Sequence, residues 1–161
     1  MSTRSNINVK VKPSDYGKTF QHQGDPKYFG EVKIPGENPE DIYLSIYHHN
    51  DGYPSRLGET LLNRYNNYED AMNAVLGGDA SSLLDGKEDY YSKGLGERFE
   101  DNRPSITTTP KSYNEYTYKF EDGEWWFTNG EDRKGDGVWR KLTDIANLDE
   151  TGQYHITNDF F

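Results

Sequence analysis

Histidine, tyrosine and aspartate crowd into eight consecutive residues, Tyr47-His48-His49-Asn50-Asp51-Gly52-Tyr53-Pro54. A histidine beside a carboxylate can act as an oriented general base, or the two can ligate a metal. His49 and Asp51 have that spacing if both project to one side of a strand-to-turn junction. His48 and His49 cannot easily share one metal in an extended segment, because neighbouring side chains point oppositely. A structural account is also open: Asp51 caps the turn and His49 hydrogen-bonds the backbone. Arg4 lies just before the first predicted strand. If that strand neighbours the one ending at Tyr47, then Arg4, Tyr47, His49, Asp51 and Tyr53 line one rim suited to a phosphate or nucleotide. Ser55, behind Pro54, reads as the cap of a helix whose first N–H groups would favour an anion. The competing account pairs Arg4 with a surface carboxylate.

Catalytic signatures do not accompany this cluster. Ser55 has no Gly-x-Ser-x-Gly elbow around it. The chain also lacks a phosphate-binding Gly-Lys-Ser/Thr loop, a dinucleotide glycine fingerprint and a His-Glu-x-x-His motif. The expectation is therefore no catalytic residue, no cofactor and no metal. A second group of residues points to a partner instead. Glu121, Asp122, Glu124, Glu131, Asp132 and Asp136, with Glu97, Glu100 and Asp101 upstream, could imitate DNA phosphates toward a basic protein. The alternative is a plain solvated face. Trp126 among them would make a protein-binding edge, since exposed aromatics are enriched at interfaces.

The bulk composition agrees with binding to protein more than to nucleic acid. Of 161 residues, 18 are Lys or Arg and 28 are Asp or Glu, a formal net charge of −10. The first 80 residues carry 8 basic and 11 acidic groups, the remaining 81 carry 10 and 17. A field of that sign disfavours direct binding to nucleic acid or an anionic membrane. It favours solubility or a basic partner. No cysteine is present, which removes disulfides and thiolate zinc sites. No apolar run approaches the roughly 18 residues needed to span a membrane, and the first six residues lack a signal core. These features predict a cytoplasmic protein.

The elements that must position these side chains form one α+β domain over residues 1–161. Hydrophobic residues are only 32%, but aromatics reach 14%, and each buries a large area. Ile7, Val9 and Val11 alternate as a half-buried strand ended by Pro13. Residues 13–30 read as a long loop, and Glu31 to Ile34 as a short strand. Ile42, Leu44 and Ile46 face one way in the clearest strand. Tyr43, Ser45, Tyr47 and then His49 face the other. Leu57, Leu61, Leu62 and Tyr65 make the apolar stripe of a first helix. Gly58 in its first turn suggests a close backbone neighbour. Asn67 caps a second helix carrying Met72, Val75 and Leu76, ended by Gly77-Gly78.

Residues 79–112 read as an irregular stretch, functional or mobile. Asp122-Gly123 then suits a type I′ hairpin turn. It would pair Phe120 with Trp125 and Tyr118 with Phe127, leaving Trp126 on the opposite face. Val138, Trp139, Leu142 and Ile145 suggest a short helix or turn packing back, and Tyr154 and Ile156 a last strand. The fold expected is a small, mainly antiparallel sheet, with two short helices after the central strand and a C-terminal aromatic hairpin.

Three blocks together carry a resemblance. Arg4-Ser5-Asn6-Ile7, the Tyr47–Pro54 stretch with Gly58, Leu61 and Tyr65 behind it, and Gly78-Asp79-Ala80-Ser81-Ser82-Leu83 resemble a widespread group of uncharacterised phage and prophage proteins. That group opens with Met-Ser-Thr-Arg-Ser and carries a His-Trp-Asp-Gly-Tyr-Pro block. Here Asn50 stands in place of the Trp. The similarity covers residues 1–90, with a weaker Asp-Gly-Glu-Trp hairpin later. It implies a viral or mobile-element origin and no established activity. The expectation is a phage accessory protein that binds and inhibits a host factor, such as a defence component in the manner of an anti-CRISPR. The alternatives are a nucleotide- or phosphate-ligand protein or small enzyme using the Arg4, His49, Asp51 and Tyr53 region, and a minor virion or assembly protein.

Overall fold

The alternation of apolar residues at the start of the chain makes its first strand the centre of the architecture. A computed structural model describes residues 2–21, 30–37, 40–92, 102–135 and 137–157. Its strands and helices run β1 (Ser5–Lys10), β2 (Thr19–Gln21), β3 (Glu31–Lys33), β4 (Tyr43–His48), α1 (Glu59–Arg64) and α2 (Tyr68–Leu76). There follow β5 (Ala80–Ser82), β6 (Asp89–Tyr90), β7 (Ser105–Thr107), β8 (Tyr116–Glu121), β9 (Glu124–Asn129), β10 (Arg140–Lys141), β11 (Ala146–Leu148) and β12 (Tyr154–Ile156). The main sheet has the order β10-β9-β8-β1-β4-β5-β6, with β7 also paired to β4. The β1–β4 and β8–β9 pairs are antiparallel, whereas β1–β8 and β4–β5 are parallel. Among the described residues no helix is long and apolar enough to cross a membrane.

One sheet face carries Ile7, Val9, Leu44, Ile46, Tyr118, Phe120, Trp125 and Phe127, all buried in the core. Leu57, Leu61, Leu62, Met72 and Val75 from the helices close over it. The other face was expected to be open on β1, but Asn6 and Asn8 are buried too. The reason is a strap. The chain at 111–114 crosses this face, and the two asparagines bind its backbone. Asn8 Nδ2 donates to the carbonyls of Lys111 (3.2 Å) and Tyr118 (3.0 Å), and its Oδ1 accepts from the Lys111 N–H (2.8 Å). Asn6 Oδ1 accepts from the Tyr113 and Asn114 N–H groups at 3.1 and 3.2 Å. The strap thus satisfies the two buried side-chain amides, which in turn hold a segment that has no sheet partner, as buried polar groups require.

Several elements follow their local chemistry as expected. Asp122 and Gly123 have φ of 54° and 81°, the two positive values that a type I′ turn needs. The register pairs Phe120 with Trp125 and Tyr118 with Phe127. Asn67 caps α2 by accepting the Asp70 N–H at 2.8 Å. Ser55 does not cap the first helix. A wide helical turn, Pro54–Gly58, precedes α1, and Tyr53 occupies the cap position. Gly58 is crowded by side chains rather than by backbone: a Cβ there would meet Leu142 at 3.2 Å and Ile156 at 3.5 Å. Two stretches read as irregular hold strands. Residues 13–30 contain β2, and 79–112 contain β5, β6 and β7. Their strands are only two or three residues long and are ordered by the segments they pair with, so local periodicity could not register them.

Candidate functional site

Strand parity sends His48 and His49 to opposite environments. His48 continues the Ile46 face and is fully buried. Its Nε2 accepts the Leu83 N–H at 3.0 Å, so Nδ1 holds the proton, and among the described residues Nδ1 has no hydrogen-bond partner. Burial first, and then the charge of neighbouring His49, drive the His48 pKa down to about 3. This imidazole is neutral near pH 7 and anchors the β5 end to β4.

His49 continues the Tyr47 face, as the parity argument requires. Its Nδ1 lies 2.5 Å from the Tyr47 hydroxyl and its Nε2 lies 3.0 Å from Ser2 Oγ. Ser2 Oγ also donates to Asn50 Oδ1 at 3.3 Å, and Asn50 Nδ2 donates to Ser81 Oγ at 3.1 Å. The backbone holds this chain of side chains in place: the N–H groups of His49 and Asn50 bond the carbonyls of Ala80 and Ser81, both at 3.0 Å. Asp79 fixes the start of the junction by accepting the Tyr47 N–H at 2.9 Å. Burial raises the Asp79 carboxyl, opposed by that N–H and by Lys111. Burial likewise raises the Tyr47 hydroxyl, with Tyr91 and Asp79 adding to the effect and Arg4 opposing it. Arg4 is exposed and within electrostatic reach of Tyr47.

The expected rim is therefore assembled in part. Arg4, Tyr47 and His49 meet at one polar edge. Ser2, Asn50, Ser81 and Tyr91 join them, and sequence reasoning had not assigned these a role. The Gly78–Leu83 block was the available signal for Ser81, since β5 must pair somewhere near β4. Asp51 and Tyr53 go elsewhere. Asp51 adopts a left-handed φ of 49°, and its Oδ2 lies 3.9 Å from Arg56 Nε. Tyr53 packs against the core while its carbonyl accepts the Arg56 and Leu57 N–H groups, both at 3.0 Å. The turn between them passes close to the chain start. Gly52 donates its N–H to the Thr3 carbonyl at 2.9 Å, and a Cβ there would lie 2.6 Å from Ser5 Oγ.

The second predicted group lies on the outer face of β8 and β9. Glu121 and Glu124 sit directly opposite each other, an unfavourable like-charge pair if left alone. Lysines offset both: Lys119 Nζ lies 3.4 Å from Glu121, and Lys141 Nζ lies 3.4 Å from Glu124. Tyr43 also donates its hydroxyl to Glu121. Trp126 is half-buried between them, its Nε1 donating to the Glu121 carbonyl at 3.2 Å. Lys141 lies 5.4 Å from the Trp126 ring centroid, and Lys119 lies 4.4 Å from that of Trp139. The surface is thus an aromatic and charge-paired face rather than a uniformly acidic one. Lys119 and Lys141 are the members not foreseen, although period-two alternation places Lys119 opposite Trp126. Trp139 and Val138, expected to pack back with Leu142 and Ile145, stay half-exposed and exposed because the short helix begins only at Leu142. Asp122 forms the hairpin tip and is exposed. Glu131 is exposed at the start of the short helical turn Glu131–Arg133, which also contains the Asp132 backbone. Asp136 and the upstream Glu97, Glu100 and Asp101 lie outside the described residues.

No family model, curated protein or solved structure matches the chain.

Proposed function

We propose that this chain is a non-enzymatic accessory protein of a phage or mobile element, acting by binding a host protein through the outer face of β8, β9 and β10. One observation carries the reading. Trp126 and Trp139 remain half-exposed on one sheet face, each with a lysine against its ring, and Glu121 and Glu124 pair with the same lysines. Rigid aromatic area framed by polar groups is the composition of a protein interface. The resemblance of the N-terminal half to phage proteins supports the origin, and a defence component is the host factor in view. The test uses the tagged chain on a bacterial lysate beside a variant carrying Glu124→Lys and Lys141→Glu, which preserves the internal ion pair. Host proteins enriched by the wild type should be lost from the variant. Equal enrichment by both would remove this face from the account.

The polar edge at His49 favours a second reading, a site for a nucleotide-like anion. Its support is the meeting of Arg4, Tyr47 and His49 with Ser2, Asn50 and Ser81. A binding ligand would raise the melting temperature by mass action. A screen of nucleotides and signalling phosphates should then find a stabiliser whose effect disappears in His49→Ala. A screen that shifts nothing would leave the edge as a structural clasp for the N-terminal residues.

A further inference from the structure

A cleft of about 580 Å³ opens between the hairpin tip and the start of α2. That is within the roughly 300–1,000 Å³ of ordinary binding sites. Tyr16, Tyr68 and Phe120 supply its aromatic lining, and Asp41, Glu121 and Asp122 its carboxylates. Glu121 belongs to the hairpin face described above and Asp122 to the hairpin tip, so the cleft adjoins that surface at its end.

The cleft already shows which chemistry it accepts. Lys12 places its ammonium 4.5 Å from the Tyr68 ring centroid, and Lys10 places its own 3.6 Å from Asp41. An aromatic face and one carboxylate are thus each in contact with a cation, Lys10 from the last residue of β1 and Lys12 from just beyond it. The Lys10–Asp41 contact is solvent-exposed on its acidic side, at 58%, so it is a weak pair that a competitor can replace. Tyr68 is held in place from behind, its hydroxyl donating to Asp15 at 2.6 Å and accepting the Lys12 N–H at 3.0 Å. Glu121 is already engaged by Lys119 and Tyr43, which leaves Asp41 and Asp122 as the carboxylates the cleft offers, in a chain of net charge −10. A guanidinium satisfies both features at once, because its plane stacks on an aromatic ring while its fork pairs with a carboxylate.

We propose that this cleft receives an arginine side chain from the protein partner, stacked on Tyr68 and paired with Asp41 and Asp122. The inference rests on the binding role proposed above and adds the chemistry of the partner: a basic surface presenting arginine.

The probe is acetyl-Gly-Arg-Gly-amide, titrated into the full isotope-labelled chain and followed by amide NMR shifts. Saturable shifts should appear at Lys12, Tyr68 and Gly123. The same peptide with citrulline, a neutral analogue of equal shape, should bind at least about fivefold more weakly, since the charge drives both contacts. The double variant Asp41→Asn, Asp122→Asn should lose affinity for the arginine peptide by a similar factor while its spectrum elsewhere stays that of the folded chain. Equal shifts with arginine and citrulline, shifts untouched by the double variant, or no shift at all would each overturn the proposal. The binding role is judged separately. If the double variant captures host protein as well as the wild type, while the Glu124→Lys, Lys141→Glu variant does not, the arginine cleft falls and the hairpin face stands.

Discussion

At the scale of single residues, the two adjacent histidines show how one step of strand parity separates structure from chemistry. His48 is a buried anchor and His49 a half-exposed hub. His48 has a clear pH signature. Its pKa falls from the ordinary 6.5 to about 3 on folding, so between those values the unfolded chain binds a proton that the folded chain refuses. Stability from neutral imidazole is therefore complete above pH 6.5 and lost as pH falls toward 3, by up to roughly a few kcal/mol. In His48→Gln, urea midpoints should be lower at pH 7 but should fall less than those of the wild type between pH 6.5 and 4. Parallel curves for the two proteins would show that His48 does not carry this dependence. The opposite sides of the two histidines were legible, because alternation along β4 needs no knowledge of the rest of the chain; the partners of His49, the Tyr47 and Ser2 hydroxyls rather than backbone, were not. Nor was the destination of Asp51. The left-handed φ at Asp51 directs its side chain away from His49, and spacing alone, which placed both on one side of the strand-to-turn junction, carries no sign of φ.

At the scale of elements, the β11–β12 pair is joined to α1 by side chains acting as a substitute strand. Asn63 donates to the Tyr154 carbonyl at 2.9 Å and accepts the Tyr154 N–H at 2.7 Å. Glu59, one helical turn earlier, accepts the Ile156 N–H at 3.1 Å. His155 stands between Asp149 at 2.7 Å and Glu59 at 3.5 Å, with Arg56, Arg64 and Asp85 lining the same recess. Its hydrogen bond to Asp149, and then the charges of Glu59 and Asp149, raise the His155 pKa despite some desolvation. A raised histidine contributes fully below its ordinary value and loses the contribution as pH rises through the raised one. Hydrogen exchange at the Ile156 amide should therefore quicken above neutrality, beyond the intrinsic base dependence of exchange. His155→Ala should abolish that extra increase. An unchanged profile in the variant would remove His155 as the clasp. The sequence announced β12 through Tyr154 and Ile156, and it announced the β8–β9 hairpin down to its register. It concealed β5, β6 and β7, because strands of two or three residues have no period of their own and exist only against β4 and each other.

At the scale of the whole molecule, the proposed binding gives the negative charge and the paired hairpin face different roles. The net charge of −10 sets the long-range field, which favours encounter with a basic surface and weakens with salt. In the binding role proposed above, the lysine-paired tryptophans supply the short-range contact. This division explains why composition pointed to a basic partner while the acidic run gave only part of the face: Lys119, Trp139 and Lys141 reach Glu121, Trp126 and Glu124 only after β8, β9 and β10 assemble. The most direct measurement compares affinity capture by the wild type and Trp126→Ala from one bacterial lysate, with melting temperatures recorded alongside. Trp126 lies on the outer face and not in the core, so folding should survive its truncation. The account predicts that host proteins enriched by the wild type fall by about thirtyfold or more in the variant, the loss expected of an interface hot spot near 2 kcal/mol. Equal capture by a variant of unchanged melting temperature would contradict it.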